Sequence, residues 1–117
     1  MTVRIARAYD VSGQGKDKLV LVDRLWPRGV SKVELHVEEW LKDIAPSSEL
    51  RKWFGHDPDK FEEFARRYRS ELAEGERHEA LQHLRTLADK HDVTLIYAAK
   101  DTEHNNARVL ADILDDD

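Results

Sequence analysis

The chain has 117 residues, 40% hydrophobic and 37% charged, with a net charge of −5 and no cysteine. This composition fits one domain with one modest core, argues against nucleic acid as a partner, and excludes disulfides, thiolate metal ligands and a cysteine nucleophile. No apolar run reaches the ~20 residues that span a bilayer, and the start lacks a signal-peptide core. We therefore expect a cytoplasmic protein without membrane contact.

The first two predicted elements are strands. Residues 3–9 alternate in polarity, which predicts a strand at the edge of a sheet. The polar residues 10–17 contain two glycines and predict a loop. Residues 19–22 form an unbroken apolar run, typical of a strand buried on both faces. The loop is too short for a parallel crossover, so these strands would be antiparallel if they were neighbours.

A helix is predicted next, because the hydrophobic period changes from two to 3.6 after Gly29. Ser31 and Glu34 have the spacing of a capping box. An apolar stripe follows and ends before Pro46. The stripe consists of Val33, Val37, Trp40, Leu41 and Ile44.

Two further helices are indicated by their end signals. Ser47 or Ser48 can cap a short helix that Gly55 closes. Pro58, at a first helical position, begins a longer helix that we expect to end at Gly75. The buried aromatic residues are predicted to be Trp40, Phe61, Phe64 and Tyr68.

The last part of the chain predicts a helix over residues 77–90, a strand over 93–99 and a helix over about 103–114. A long helical connection between the two strong strands fits a parallel pair with a right-handed crossover. The predicted fold class is α/β, as a single domain over residues 1–117. We expect a small three-layer-like arrangement, with a mixed sheet of about three strands, two of them parallel, flanked by about five helices.

Charged and polar side chains follow both strong strands at their carboxyl ends, where open α/β sheets bind ligands. The candidate site consists of Asp23, Arg24, Trp26, Arg28, Lys100, Asp101, His104 and Asn105. Arginine forks and a lysine would bind and polarise an anion, which the amides of a helix start can also hold. Asp23 or Asp101 would transfer protons together with His104.

The same residues also have structural interpretations. Asp23 could pair with Arg28, or Arg24 with Asp101, to brace the strand ends. Trp26 could either stack on a ligand ring or cover the core. Asp101 could be an ordinary helix N-cap. These alternatives stay open at the level of sequence.

Other polar groups give weaker signals. Arg51, Lys52 and His56 form a second candidate surface around the short helix. His78 and His83 are five residues apart, whereas metal pairs on one helix face prefer three or four. Neither a P-loop nor a GxGxxG pattern is present. We expect no metal and no cofactor.

Four segments resemble the YeaO-like proteins, a bacterial family of the DUF488 superfamily, a domain of unknown function. They are LVLVDRLWPRG (19–29), EEWLKDIAPSSELRKWFGH (38–56), FARRYRSEL (64–72) and LIYAAKDTEHNNA (95–107). The resemblance covers nearly the whole chain and implies a small α/β fold, without an established activity. A more distant branch of the superfamily carries Cys-His-Arg after the last strand, where this chain has Glu103-His104-Asn105. A thiol mechanism therefore does not transfer.

The expected function is binding of, or enzymatic action on, an anionic small molecule such as a nucleotide or another phosphate compound. The alternative is a non-catalytic regulatory module that binds a protein or nucleic acid through the charged helices of residues 51–69. A deep pocket at the strand ends would favour the first function, and a flat charged face the second. The sequence predicts no oligomeric state.

Overall fold

The computed structural model describes residues 2–11 and 17–115. Its strands are β1 (Val3–Arg7), β2 (Lys18–Leu21), β3 (Glu39–Trp40) and β4 (Val93–Tyr97). Its α-helices are α1 (Ser48–Phe54), α2 (Phe61–Glu71), α3 (Gly75–Lys90) and α4 (Asn106–Asp115), with short 3-10 helices at Lys42–Ile44 and Pro58–Lys60. In the described ranges, no helix has both the length and the apolarity to cross a membrane.

The four strands form one parallel sheet in the order β1-β4-β2-β3. The predicted parallel pairing of the two strong strands is confirmed, since Lys18 pairs with Val93 and Leu21 with Ile96. The position of β1 at an edge is also confirmed. The prediction of three strands in a mixed sheet is wrong. β4 lies between β1 and β2 and pairs in parallel with both, so β1 and β2 run in the same direction. The chain therefore returns from the end of β1 to the start of β2 within residues 8–17, and the expectation that this connection is too short for a parallel crossover is wrong.

The two faces of the sheet are covered differently. One face packs against the helices in a large core that contains Val20, Leu95 and Tyr97. The other face forms a smaller core of Ala8, Leu21, Leu35 and Ile96, to which no described helix contributes. All the helices that build the main core therefore pack on one side of the sheet, so the prediction of a three-layer-like arrangement is wrong. The opposite side is covered by loop segments.

The helix predicted after Gly29 is wrong. Ser31 and Glu34 do form the reciprocal capping bonds, at 3.0 and 3.2 Å, but only turns follow. Val33, which the predicted stripe placed in the core, is 91% exposed. The segment instead extends across the open face of the sheet and adds β3 to it. This gain in sheet pairing and burial outweighs the local preference for helix.

The remaining helices agree with the sequence except at some ends. Ser47 caps α1 by accepting the Leu50 N–H at 3.1 Å, and Gly55 ends it with φ of 54°. The helix predicted from Pro58 ends at Glu71 rather than at Gly75, and Gly75 begins α3 with φ of 62°. The described chain thus has four α-helices and two 3-10 helices rather than about five helices.

The predicted aromatic core is confirmed for Phe64 and Tyr68, which are 2% and 0% exposed. The Tyr68 hydroxyl donates a hydrogen bond to the carbonyl oxygen of Ile44 inside the core. Phe61 and Trp40 are only half-buried, so their prediction as buried residues is wrong. Both lie where the core reaches the surface.

Candidate functional site

A cavity of about 420 Å³ opens where β2 and β4 end. Its lining comes from the segment after β2, the residues after β4, helix α1 with the turn behind it, and the start of α4. The charged and polar side chains in this lining are Asp23, Arg24, Arg28, Arg51, His56, His104, Asn105 and Asn106. The volume lies within the roughly 300–1,000 Å³ typical of small-molecule sites.

The apolar part of the lining is largely aromatic. Phe54 and Phe64 stack with ring centroids 4.3 Å apart and form a wall that continues the main core. Trp26 and Pro27 contribute from the segment after β2, and the exposed Tyr9 lines the cavity from behind β1. A ligand here would meet flat apolar surfaces as well as charges.

Asp23 comes two residues after β2 and lines the cavity. Its Oδ2 accepts the Ala98 N–H at 2.9 Å, and the Asn106 amide also hydrogen bonds to it. Burial raises the pKa of Asp23, while these two hydrogen bonds, and the nearby charges of Arg51 and His56, oppose that rise. No side chain of the described residues forms an ion pair with Asp23. Two hydrogen bonds and the more distant charges of Arg51 and His56, rather than a direct ion pair, therefore stabilise a largely desolvated carboxylate at this position.

The arginines that follow β2 are not used to neutralise Asp23. Arg24 Nη1 lies 3.9 Å from Asp43 Oδ1, and both side chains are more than half exposed. Arg28 is exposed, and the Tyr9 hydroxyl holds its main-chain carbonyl at 3.0 Å. Among the described residues, neither the Asp23–Arg28 nor the Arg24–Asp101 ion pair forms, so those structural interpretations are wrong. Both arginines nevertheless belong to the lining of the cavity.

Trp26 combines the two roles considered for it. Its indole N–H donates to the Val30 carbonyl at 2.6 Å, and its ring meets Trp40 edge-on at a centroid distance of 5.4 Å. Trp40 in turn donates to the Asp23 carbonyl at 2.8 Å. The half-buried Trp26 therefore fixes the segment after β2 and also lines the cavity.

His104 is oriented by Asp101. The Asp101 Oδ2 lies 2.9 Å from His104 Nδ1, and its Oδ1 accepts the N–H groups of Glu103 and His104. The Glu103 amide is the main cause that lowers the pKa of Asp101. The His104 ring packs edge-on against Phe61 at 5.2 Å and borders the cavity. Asp101 does not line the cavity and acts on it only through His104.

The remaining predicted site residues have different positions. Lys100 is exposed and lies outside the cavity lining. Asn105 lines the cavity and is 2% exposed, but its amide is used within the fold. Its Nδ2 donates to the Asp101 carbonyl, and its Oδ1 accepts the Arg108 N–H, both at 2.9 Å. This second bond makes Asn105 the cap of α4. The helix begins at Asn106, three residues later than predicted.

Arg51 and His56 belong to the same cavity, although the sequence assigned them to a separate surface. Arg51 is carried by α1, where its Nη2 donates to Ser48 Oγ at 3.1 Å. His56 follows the cap Gly55 and has a φ of 57°, a left-handed conformation that is uncommon for residues other than glycine. The sequence did not predict this conformation, because nothing at His56 is unusual apart from the preceding Gly55.

The site offers three arginines, two histidines and one carboxylate in its lining. It can hold an anion through guanidinium groups, and it can exchange a proton through the oriented His104. In the described ranges, no group of three or more histidine, aspartate or glutamate side chains is placed to hold a metal ion. His83, one of the pair considered from the sequence, instead contacts Glu39 at 2.6 Å.

A family model described as "Inactive DUF488-N3 subclade" matches residues 2–117. The chain is also similar to the uncharacterized protein YeaO of Escherichia coli K12, with 43% identity over 114 residues and 97% of each chain covered. No solved structure matches this chain.

An uncharacterized protein of Mycobacterium tuberculosis H37Rv is 43% identical over 112 residues, which cover 96% of this chain and 92% of that one. The uncharacterized Mycobacterium bovis relative has the same identity and coverage. The family match and these identities extend over nearly the full length of the chain. The chain therefore belongs to the YeaO-like family of the DUF488 superfamily.

Proposed function

We propose that this protein binds an anionic small molecule, a phosphate- or nucleotide-like compound, in the cavity at the strand ends. The observation that carries the proposal is the lining itself. Arg24, Arg28 and Arg51 face a cavity with one carboxylate, in a chain whose net charge is −5. Local charge of the opposite sign to the whole chain favours a specific anion over general electrostatic adhesion. The aromatic walls would accept a planar or apolar part of the ligand.

Binding without catalysis is the form of this proposal that the site supports best. The matching family model is described as inactive, and the chain has no cysteine to attack a substrate. His104 with Asp101 could still move a proton, but proton transfer alone needs a substrate with a suitable leaving group or acidic proton. We therefore assign the arginines to anion binding and leave the histidine to orient the ligand by hydrogen bonding.

A thermal-shift screen of phosphate, sugar phosphates, nucleotides and dicarboxylates tests the proposal. A ligand at ~100 times its dissociation constant stabilises a protein by about 2.7 kcal/mol, which raises the melting temperature by several degrees for a domain near this size. We expect one chemical class to give a clear shift. Arg28→Ala and Arg51→Ala should each reduce that shift, and Arg28→Lys should rescue little because an ammonium cannot reproduce a bidentate guanidinium contact.

Arg66→Ala is the matched control. Arg66 is exposed, pairs with Glu63 on α2 and lies outside the cavity lining. Its loss should leave the ligand shift unchanged. Equal loss in the Arg66 and Arg28 variants would contradict a specific site. If no anion shifts the melting temperature, the regulatory module that binds a protein or nucleic acid becomes the better proposal.

A further inference from the structure

We infer that Asp23 accepts a hydrogen bond from a nitrogen-bound proton of the ligand, so that the ligand is an anion that also carries an ammonium or amidinium group. This inference rests on the proposed function and narrows its ligand class. It adds a second recognition element of opposite charge to the arginines. The ligand would therefore be zwitterionic rather than a simple anion.

The position of Asp23 supports the inference. Asp23 lines the same cavity as Arg28 and Arg51, where β2 and β4 end. The Ala98 N–H and the Asn106 amide occupy part of its hydrogen-bonding capacity. A carboxylate has about four lone-pair sites, so acceptor capacity remains for a donor in the cavity.

The missing ion pair supports it further. A desolvated carboxylate normally obtains a cationic partner, because burial of an unpaired charge is costly. Three arginines line the same cavity, yet none of the described side chains forms an ion pair with Asp23, although Arg51 and His56 are near enough to act on its charge. Arg24 is near Asp43 instead, and Arg51 bonds to Ser48. A cationic group of a ligand can supply the direct ion pair that the described side chains do not form with Asp23.

A simple anion would fit this lining poorly. The charge of Asp23 would repel it, against the attraction of the arginines. A ligand with positive charge at one end and negative charge at the other satisfies both groups together. The cavity volume of about 420 Å³ is large enough for a single ring that separates the two charges.

Matched probes test the inference by calorimetry and thermal shift. The pairs are phenyl phosphate with 4-(aminomethyl)phenyl phosphate, and benzoate with 4-(aminomethyl)benzoate. With the unmodified protein, we expect the amine of at least one pair to bind about 10-fold or more tightly than its amine-free analogue. The arginines alone would predict the reverse order, because the amine reduces the negative charge of the probe.

Asp23→Asn provides the second measurement. Asparagine can still accept the Ala98 N–H, but it removes the charge. It should weaken the amine probe and leave the amine-free analogue unchanged or more tightly bound. Asp112→Asn, an exposed change on α4, controls for net charge and should alter neither probe.

The outcomes separate the two proposals. If neither member of either pair binds and the anion screen is also negative, the proposed function fails. If amine-free anions bind at least as tightly as the amines to the unmodified protein, the zwitterion inference is overturned and anion binding stands. If Asp23→Asn weakens the binding of both probes equally, Asp23 maintains the shape of the cavity and does not contact the amine. That result would also overturn the zwitterion inference.

Discussion

Phe64 is the residue at which the main core and the cavity meet. It is 2% exposed, stacks on Phe54 at 4.3 Å and lies 5.7 Å from the Tyr68 ring. One face of this aromatic cluster supports the helices, and the other lines the cavity. A change at Phe64 therefore affects stability and ligand binding together.

We expect Phe64→Ala to lower the free energy of unfolding by about 3–5 kcal/mol, the usual loss for a large buried aromatic side chain. Phe61→Ala should cost less, because Phe61 is only half-buried. Urea unfolding of both variants gives the two values. A loss below ~1 kcal/mol for Phe64 would contradict its role in the core.

At the scale of the elements, two serines form the same capping bond with different results. Ser47 Oγ accepts the Leu50 N–H and starts α1, and its own N–H and hydroxyl bond to Glu71 of α2. Ser31 Oγ accepts the Glu34 N–H, but no helix follows. Ser47 thus joins two helices, whereas Ser31 stabilises a single exposed turn.

Ser47→Ala should destabilise the protein by about 1 kcal/mol or more, the usual cost of a lost N-cap, because it also loses a bond to Glu71. Ser31→Ala should change the free energy of unfolding by less than ~0.5 kcal/mol, as for other surface substitutions. Chemical denaturation distinguishes them. Equal effects would mean that the turn at Ser31 contributes as much as a helix cap.

These two serines also show what local sequence can predict. A capping box specifies its own turn, and that turn is present at Ser31. Whether a helix follows depends on what else the segment can bury, and here Leu35 fills the second face of the sheet at 2% exposure. That alternative is a tertiary contact, so no local pattern records it.

The residues of the cavity also fall into two groups, those that the sequence could place there and those that it could not. Asp23, Arg28 and His104 could be placed together from sequence because they follow strands whose parallel pairing was predictable. Arg51 and His56 could not be assigned to that cavity. Their place depends on how α1 packs over the sheet edge, and this is set by side chains distant in sequence.

At the scale of the whole molecule, the Asp17 carboxylate links the edge strand β1 to the central strand β4. Asp17 Oδ2 pairs with Arg4 of β1 and accepts the Thr94 hydroxyl of β4 at 2.8 Å. The Thr94 hydrogen bond, with help from Arg4, lowers the pKa of Asp17 below its ordinary value. This carboxylate is thus more acidic in the folded than in the unfolded chain, so its stabilising effect is complete above its ordinary pKa. The effect is lost as the pH falls through the folded-state value.

We expect Asp17→Asn to reduce the free energy of unfolding by about 1 kcal/mol at pH 7, the typical contribution of one hydrogen bond. The difference from the unmodified protein should shrink below about pH 4, where the carboxyl of the unfolded chain becomes protonated. Thermal unfolding at several pH values measures this, with Asp112→Asn as an exposed control. A difference that stays constant with pH would show that the charge of Asp17 is irrelevant.

The strand order has a consequence for how the protein is made. β1 and β2 each bond to β4, and never to each other, yet β4 is the last of the four strands to be synthesised. A chain still growing on the ribosome therefore exposes β1 and β2 with unsatisfied edges until residues 93–97 emerge. Contacts this distant in sequence are slow to form, and open strand edges invite association with other chains. β4 of another copy has the same sequence and fits the same position between β1 and β2. Until its own β4 is made, a new chain is therefore open to strand swapping, in which it accepts β4 from a neighbour.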